Sequence, residues 1–192
     1  MELIFASQNP GKTKEISHLL EGKFTIKNLL DLQHERELDE PFETLEENAL
    51  HKAKQVFELT GIPAFADDTG LEINALNGRP GVYSARYAGE EKDPQKNMDK
   101  ILGELKNASE RSAKFRTVIG FYDGKMEHLF EGIVNGKIGE KKLGEKGFGY
   151  DPIFIAEGTS NTFAQMEMDE KNKFSHRAKA MEKFLAFLKN TY

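Results

Sequence analysis

The chain has 192 residues, enough for one ordinary domain or one domain with a substantial lobe, and its 38% hydrophobic and 31% charged residues supply a core and a solvated surface. A net charge of −5 is the wrong sign for sequence-independent nucleic-acid binding, no run of about 18 apolar residues offers a membrane span, and the absence of cysteine removes disulfides, thiolate chemistry and sulfur-ligated zinc. An acidic protein still binds a polyphosphate where its lysines and arginines converge.

Met1 to Phe5 starts straight into a strand without a basic leader, so no signal peptide is expected, and a cytoplasmic location fits. Residues 2 to 6 read as a buried strand, Gly11 to Leu20 as a helix, Thr25 to Leu30 as a second strand and Asp31 to Glu40 as a charged loop. Thr44 opens a helix with a capping box to Glu47, and Ala49, Ala53, Val56 and Phe57 form its apolar stripe. Strands follow at 63 to 66 and 70 to 74, split by a Thr69-Gly70 turn, then a Gly/Pro-rich segment from Asn77 to Gly81. Asp93 caps a helix running to about Leu105.

Lys114 to Tyr122 and Met126 to Val134 form a hairpin across Asp123-Gly124. Gly144 to Tyr150 is a glycine-rich loop leading into a strand at 152 to 155, and Phe174 to Leu188 is a final amphipathic helix anchored by Phe184, Phe187 and Leu188. The alternation is α/β with a β-hairpin insert, which predicts one domain over 1–192 built on a mixed rather than purely parallel sheet.

The most informative feature is Asp67-Asp68, where the apolar run from Ile62 to Ala66 ends. Adjacent side chains alternate faces along a strand, so both cannot enter one core, but at a strand's end both can reach one hard cation or one water. Like charges that close raise each other's pKa unless a cation compensates. An acidic turn is the simpler reading of such a pair alone.

Other segments tip the balance. Ala6 to Thr13 links a strand to a helix and can aim backbone N–H groups, with Lys12, at an anion. It differs from the phosphate-binding P-loop by Ala6 in place of the first glycine, and Ala6 and Pro10 restrict the loop. Glu40 and Glu43 precede the 44–57 helix as possible metal ligands, and Asn48 and Lys52 share a helix face, although an ordinary surface helix reads as well. The loop from Leu76 to Gly89 carries Arg79, Tyr83, Arg86 and Tyr87 among glycines and reads equally as a surface loop with a packing tyrosine. In Gly147-Phe148-Gly149-Tyr150-Asp151-Pro152 the glycines leave the Phe148 ring open for stacking on a base, and Asp151 can accept from ring N–H groups. Ser175 is a credible N-cap that puts His176 and Arg177 in the first helical turn, where cations oppose the helix dipole unless a ligand compensates.

Taken together, Ser7 to Lys12, Glu47-Asn48 with Lys52-Ala53, Ala66 to Leu71, Gly81 to Tyr87, Gly147 to Pro152 and Ser175 to Arg177 resemble the inosine triphosphate pyrophosphatases, in order along residues 1 to about 188. Gln8 and Pro10 depart from the small residues more usual there, and 121 to 127 is a short hairpin where relatives often insert. The resemblance implies Mg²⁺-dependent hydrolysis of ITP, dITP or XTP to the monophosphate and pyrophosphate. It also implies an elongated two-lobed α/β fold with the site in the cleft, and a homodimer. Carried over by position, Asp68 is the proton acceptor and a metal ligand with Glu40. Ser7, Gln8, Asn9, Pro10, Gly11 and Lys12 hold the triphosphate with Lys52 nearby, and Thr69, Phe148, Gly149, Tyr150, Asp151, Lys171, His176 and Arg177 contact substrate. Two rivals remain: a P-loop NTPase cleaving the γ-phosphate, and a nucleotide sensor without turnover.

Overall fold

The structure is a computed structural model describing residues 2–20, 25–32 and 37–192. Its elements are β1 (Glu2–Phe5), α1 (Pro10–Leu20), β2 (Thr25–Asn28), α2 (Leu45–Thr60), β3 (Ala64–Ile73), β4 (Pro80–Gly81), α3 (Pro94–Glu104), β5 (Ser112–Tyr122), β6 (Glu127–Ile138), β7 (Phe154–Ala156), α4 (Met168–Asn172) and α5 (His176–Thr191). Part of the expected charged loop, residues 33–36, lies outside the described residues.

The strands form one sheet in the order β2-β1-β3-β5-β6-β7, with β4 added to β3. β1 pairs in parallel with β2 and with β3, while β3–β4 and β6–β7 are antiparallel, so the sheet is mixed as expected. α1 and α2 supply the crossovers that parallel neighbours require. Among the described residues no helix is long and apolar enough to cross a membrane.

The chain forms two compact units, with β3, β5 and β6 each running from one into the other. The first comprises residues 1–68, 117–132 and 177–192, the second 69–116 and 133–176. In the first unit the sheet is covered on both faces, and the period of two in β1 and β3 sorts the side chains. Leu3, Phe5 and Phe65 pack with Ile16 of α1 and Phe184 and Leu188 of α5. Ile4, Ala6, Ala64 and Ala66 pack with Ala53 and Val56 of α2. The second unit has its own core, with Leu71 and Ile73 of β3, Met98 and Ile101 of α3, and Phe115, Phe154 and Phe163.

One expected element is corrected. The segment read as two strands with a turn at Thr69-Gly70 is a single ten-residue strand, β3, with both aspartates inside it. Gly70 is there for close approach rather than for a turn: a Cβ on it would stand 2.8 Å from the Gly81 carbonyl oxygen of β4. The expected strand at 152–155 is shorter and later, at Phe154–Ala156, because Asp151 to Ile153 stay in a turn closed by the Ile153 N–H on the Tyr150 carbonyl. The final helix starts at His176, behind the short α4.

Capping follows the sequence closely. Thr44 caps α2 by accepting from the Glu47 N–H at 3.2 Å, and its hydroxyl donates to the Glu47 carboxylate at 2.6 Å. Asp93 caps α3 through the Gln95 and Lys96 amides. Asp123 accepts from the Lys125 and Met126 amides and closes the β5–β6 turn.

α2 lies directly on β5 at Gly120, where a Cβ would meet the Leu50 nitrogen at 2.6 Å and the Ala49 carbonyl carbon at 2.7 Å. Those atoms are helix backbone and cannot swing aside. Gly120→Val is therefore expected to lower stability by about 1–3 kcal/mol, the usual cost of overpacking. Urea denaturation measures it, and an unchanged midpoint would contradict this contact.

Candidate functional site

The period of two along β3 sends its adjacent carboxylates to opposite faces. Asp67 shares the Phe65 face, toward α1 and α5, and Asp68 shares the Ala66 face, toward α2. Both are buried, at 1% and 8% exposure, so each needs its own compensation.

Asp67 is enclosed by cations. Its Oδ2 accepts from Arg177 Nε at 3.0 Å and Nη2 at 2.9 Å, and its Oδ1 lies 3.1 Å from Lys12 Nζ. Its main-chain carbonyl accepts from Lys52 Nζ at 2.9 Å and Lys12 Nζ at 3.3 Å. Burial alone would push its carboxyl upward, but Lys12, Arg177 and Lys52 prevail and hold it well below the usual carboxylate range. Asp68 goes the other way: burial raises its carboxyl above the ordinary value against the pull of Lys52 and Lys12, and Glu40 and Asp67 add to the rise.

Lys52 lies at the centre of the α2 side, its Nζ 2.5 Å from Glu40 Oε1 and 3.4 Å from Asp68 Oδ1. Burial would strip its proton, yet Asp68, Glu40 and Asp67 outweigh burial and raise its pKa. The Glu40 segment is tied to α2 by Asn48, whose amide oxygen accepts from the Phe42 N–H and whose amide nitrogen donates to the Phe42 carbonyl, each at 3.0 Å. Glu40 and Asp68 thus converge on one cation. Among the described residues no group of three or more His, Asp or Glu side chains could hold a metal ion. Two hard carboxylate donors suit an oxygen-seeking divalent ion that takes its other ligands from water and substrate phosphates.

The loop before α1 is capped by Asn9, whose Oδ1 accepts from the amides of Gly11 at 2.9 Å and Lys12 at 3.1 Å, while its own N–H donates to Ser7 Oγ. Ala6, the residue after β1, is buried, and its N–H donates to the Phe65 carbonyl at 2.8 Å, so it does not open the wrap that a P-loop needs. An oxygen already satisfies the two helix-end amides, and the side chain that supplies it is exposed.

The second unit holds the other group of expected residues. Asp151 Oδ2 accepts from Lys171 Nζ at 2.6 Å and from the Phe148 N–H at 2.9 Å. The Lys171 ammonium stands 5.3 Å from the centre of the half-buried Phe148 ring. Gly147 makes this possible: with φ +73° and a Cβ that would fall 2.0 Å from Asp151 Oδ2, only glycine fits. The Tyr150 hydroxyl donates to the Ser84 carbonyl at 2.7 Å, and Ser84 Oγ accepts from the Leu71 N–H and donates to the Gly81 carbonyl. His176 stacks on Phe115 with ring centres 4.6 Å apart and 15° between planes.

The first unit therefore brings together Ser7 to Lys12, Glu40, Lys52, Asp68 and Arg177, and the second gathers Phe148 to Asp151, Lys171 and His176, with Thr69 following Asp68 in β3. Asp151 is buried and holds Lys171 and the Phe148 loop, and the Arg177 side chain, 1% exposed, lies on carboxylates of its own unit. The sequence reading missed Glu15, which accepts from Arg177 Nη1 at 2.5 Å, and Ser84. Glu15 follows Lys12 by three positions and adjoins Ile16 on the buried side of α1, the one signal that would have singled it out.

A sequence profile of the Ham1 family matches residues 3–187. A dITP/XTP pyrophosphatase of Flavobacterium psychrophilum is 47% identical over 190 residues, covering 99% of this chain and all of that one. One of Bacillus subtilis is 46% identical over 191 residues, covering 97% and 96% of the two chains. The structure of the Staphylococcus aureus Ham1 protein superposes with a TM-score of 0.89 at 38% identity, covering both chains in full.

The opposite environments of the two aspartates give opposite expectations for stability. A depressed carboxyl such as Asp67 contributes stability that is present above its unfolded pKa and lost as pH falls through its folded one. A raised carboxyl such as Asp68 works the other way, its contribution being present below its unfolded pKa and lost as pH rises through its folded one. In metal-free buffer at pH 7, Asp67→Asn is expected to cost about 3–5 kcal/mol in urea denaturation, the usual cost of breaking a buried ion pair. Asp68→Asn is expected to be neutral or stabilising, and equal losses in the two variants would refute the contrast.

Proposed function

Since the chain belongs to the Ham1 family, we propose that it hydrolyses non-standard purine nucleoside triphosphates (ITP, dITP and XTP) to the monophosphate and pyrophosphate, removing them from the nucleotide pool. The observation that carries this reading is the meeting of Lys12 and Lys52 on the Asp67 carbonyl, beside a buried Asp68 carboxyl held above its ordinary pKa. We read residues 1–192 as one catalytic domain of a cytoplasmic homodimer.

In this reading Asp68 takes the proton from a water that attacks the α-phosphorus. The new oxygen–phosphorus bond replaces the bond to the bridging oxygen between the α- and β-phosphates, whose electron pair leaves with pyrophosphate. Lys12 and Lys52 cancel the charge that develops on that leaving group, and the Gly11 and Lys12 amides add to it where a phosphate oxygen displaces the exposed Asn9 side chain. Glu40 and Asp68 would hold Mg²⁺, which supplies Lewis-acid polarisation of the phosphates. Cleavage at the γ-phosphate by a P-loop mechanism finds no support in the Ala6 geometry.

Base selection rests on the second unit. The Phe148 ring offers a stacking face, and Lys171, aimed by the buried Asp151, is a donor only. Hypoxanthine and xanthine present an acceptor oxygen at C6 where adenine presents an amino group, so a fixed ammonium favours the former. With the Arg177 side chain on Asp67 and Glu15, the geometry favours Lys171 over Arg177 for this role. Guanine carries the same C6 oxygen, so rejection of GTP has to act on its 2-amino group.

A turnover panel of ITP, dITP, XTP, ATP and GTP with Mg²⁺ is expected to yield pyrophosphate and monophosphate from the first three. Orthophosphate and diphosphate as products would support the γ-cleaving rival, and binding without turnover the sensor. Asp68→Asn is expected to lose about 10²-fold or more in kcat, as for removal of a general base; near-normal kcat would remove Asp68 from that role.

Lys171→Ala is expected to cost ITP about 1–3 kcal/mol in kcat/KM and ATP much less. Phe148→Ala, by contrast, should weaken all purine substrates by a similar factor, since stacking is indifferent to the base edge. An unchanged ITP-to-ATP ratio in Lys171→Ala would leave that lysine a phosphate or packing cation only.

A further inference from the structure

The reaction described above gives Glu15 no task, yet it is 3% exposed and joined to the most buried cation of the first unit. Its Oε2 accepts from Arg177 Nη1 at 2.5 Å, Arg177 grips Asp67 Oδ2 through Nε and Nη2, and Asp67 Oδ1 lies 3.1 Å from Lys12 Nζ. The four charges form a chain of alternating sign, Glu15, Arg177, Asp67 and Lys12, that begins and ends one turn apart on α1.

We propose that Glu15 is a positioning residue for the phosphate-binding lysine, acting on Lys12 through Arg177 and Asp67. Two carboxylates share the Arg177 charge, one on each side of the guanidinium. Because Glu15 takes Nη1, Asp67 commits only Oδ2 to Arg177 and keeps Oδ1 turned to Lys12. Without the Glu15 charge, Arg177 and Lys12 compete for one carboxylate, and a lysine on a flexible four-carbon stem loses its fixed position more readily than a guanidinium held by two N–H groups. Stability alone gives a weak reason to bury such a chain of charges, since well-packed apolar residues do as well or better. Placing one ammonium accurately is a reason that apolar residues cannot meet.

This inference rests on the reading of Lys12 as a triphosphate ligand, and its test separates the two. Pyrophosphate binding to wild type, Glu15→Gln, Lys12→Ala and the double variant is measured by calorimetry, alongside KM and kcat for ITP. Glu15→Gln is expected to weaken pyrophosphate binding and raise KM about tenfold, with kcat changed much less. The double variant is expected to bind no more weakly than Lys12→Ala alone, because both substitutions remove the same contact. Glu15→Asp keeps the charge on a shorter arm and should lie between wild type and Glu15→Gln; it carries the test if Glu15→Gln does not fold. Effects of Glu15→Gln and Lys12→Ala that add in the double variant, or a Glu15→Gln protein that only melts earlier with pyrophosphate affinity intact, would overturn the proposal. Lys12→Ala binding pyrophosphate as wild type does would instead overturn the reading of Lys12 on which it rests.

Discussion

Two neighbouring charges on a buried strand cannot share a solution, because successive side chains leave the backbone in opposite directions. Asp67 and Asp68 lie inside β3, a strand covered on both faces in the first unit, so each carboxylate enters a different apolar layer. Each layer must therefore bring its own cations, and the elements on that face deliver them: Arg177 from α5 and Lys12 from α1 on one side, Lys52 from α2 on the other. The main chain between them adds an acceptor, the Asp67 carbonyl, that draws both lysines to one point. The convergence of Lys12 and Lys52 thus follows from the pleat of one strand and the need to neutralise what it buries.

The two compensations are unequal, and the inequality is what chemistry can use. Asp67 has more positive charge around it than it needs and is locked as an anion. Asp68, with a second carboxylate at Glu40 competing for the same Lys52 ammonium, is under-compensated and holds a proton more readily. A carboxyl raised by burial beside surplus negative charge is suited to accept a proton, and it gains from any added cation. Stability is conceded at Asp68 and recovered at Asp67, a division of labour between adjacent positions of the same residue type.

Much of this was legible in the sequence, and the failures have physical causes. The mixed α/β sheet, the cap at Thr44, the α2 stripe of Ala49, Ala53 and Val56 and the turn at Asp123-Gly124 follow from local rules and stand in the structure. The turn expected at Thr69-Gly70 fails because a glycine serves two purposes, and only the position of Gly81 in space reveals that close approach is the one used. Asp67-Asp68 looked like a strand end because a strand interior is a poor place for two charges unless their partners are known. Those partners come from distant segments, and the extreme case, Arg177 with Glu15, spans 162 positions. For the same reason the sequence shows Arg177 as a donor at a helix start, and only the fold shows the two buried carboxylates it holds.

The second unit meets a similar demand with one ion pair where the first uses a chain of four charges. Lys171 and Asp151 are both nearly fully buried, so the ammonium can be aimed only if the carboxylate is itself fixed. Asp151 is fixed by the turn that carries it: Phe148 donates its N–H to the same oxygen, and Gly147 leaves that oxygen the space it occupies. The residue that offers a ring for stacking is thus tied through its backbone to the residue that aims the ammonium. In the proposed reading, stacking accepts any base and the ammonium discriminates among them, which requires both to keep one register. A glycine at 147 secures that register, because any larger residue there would displace Asp151 and release the ring and the ammonium together.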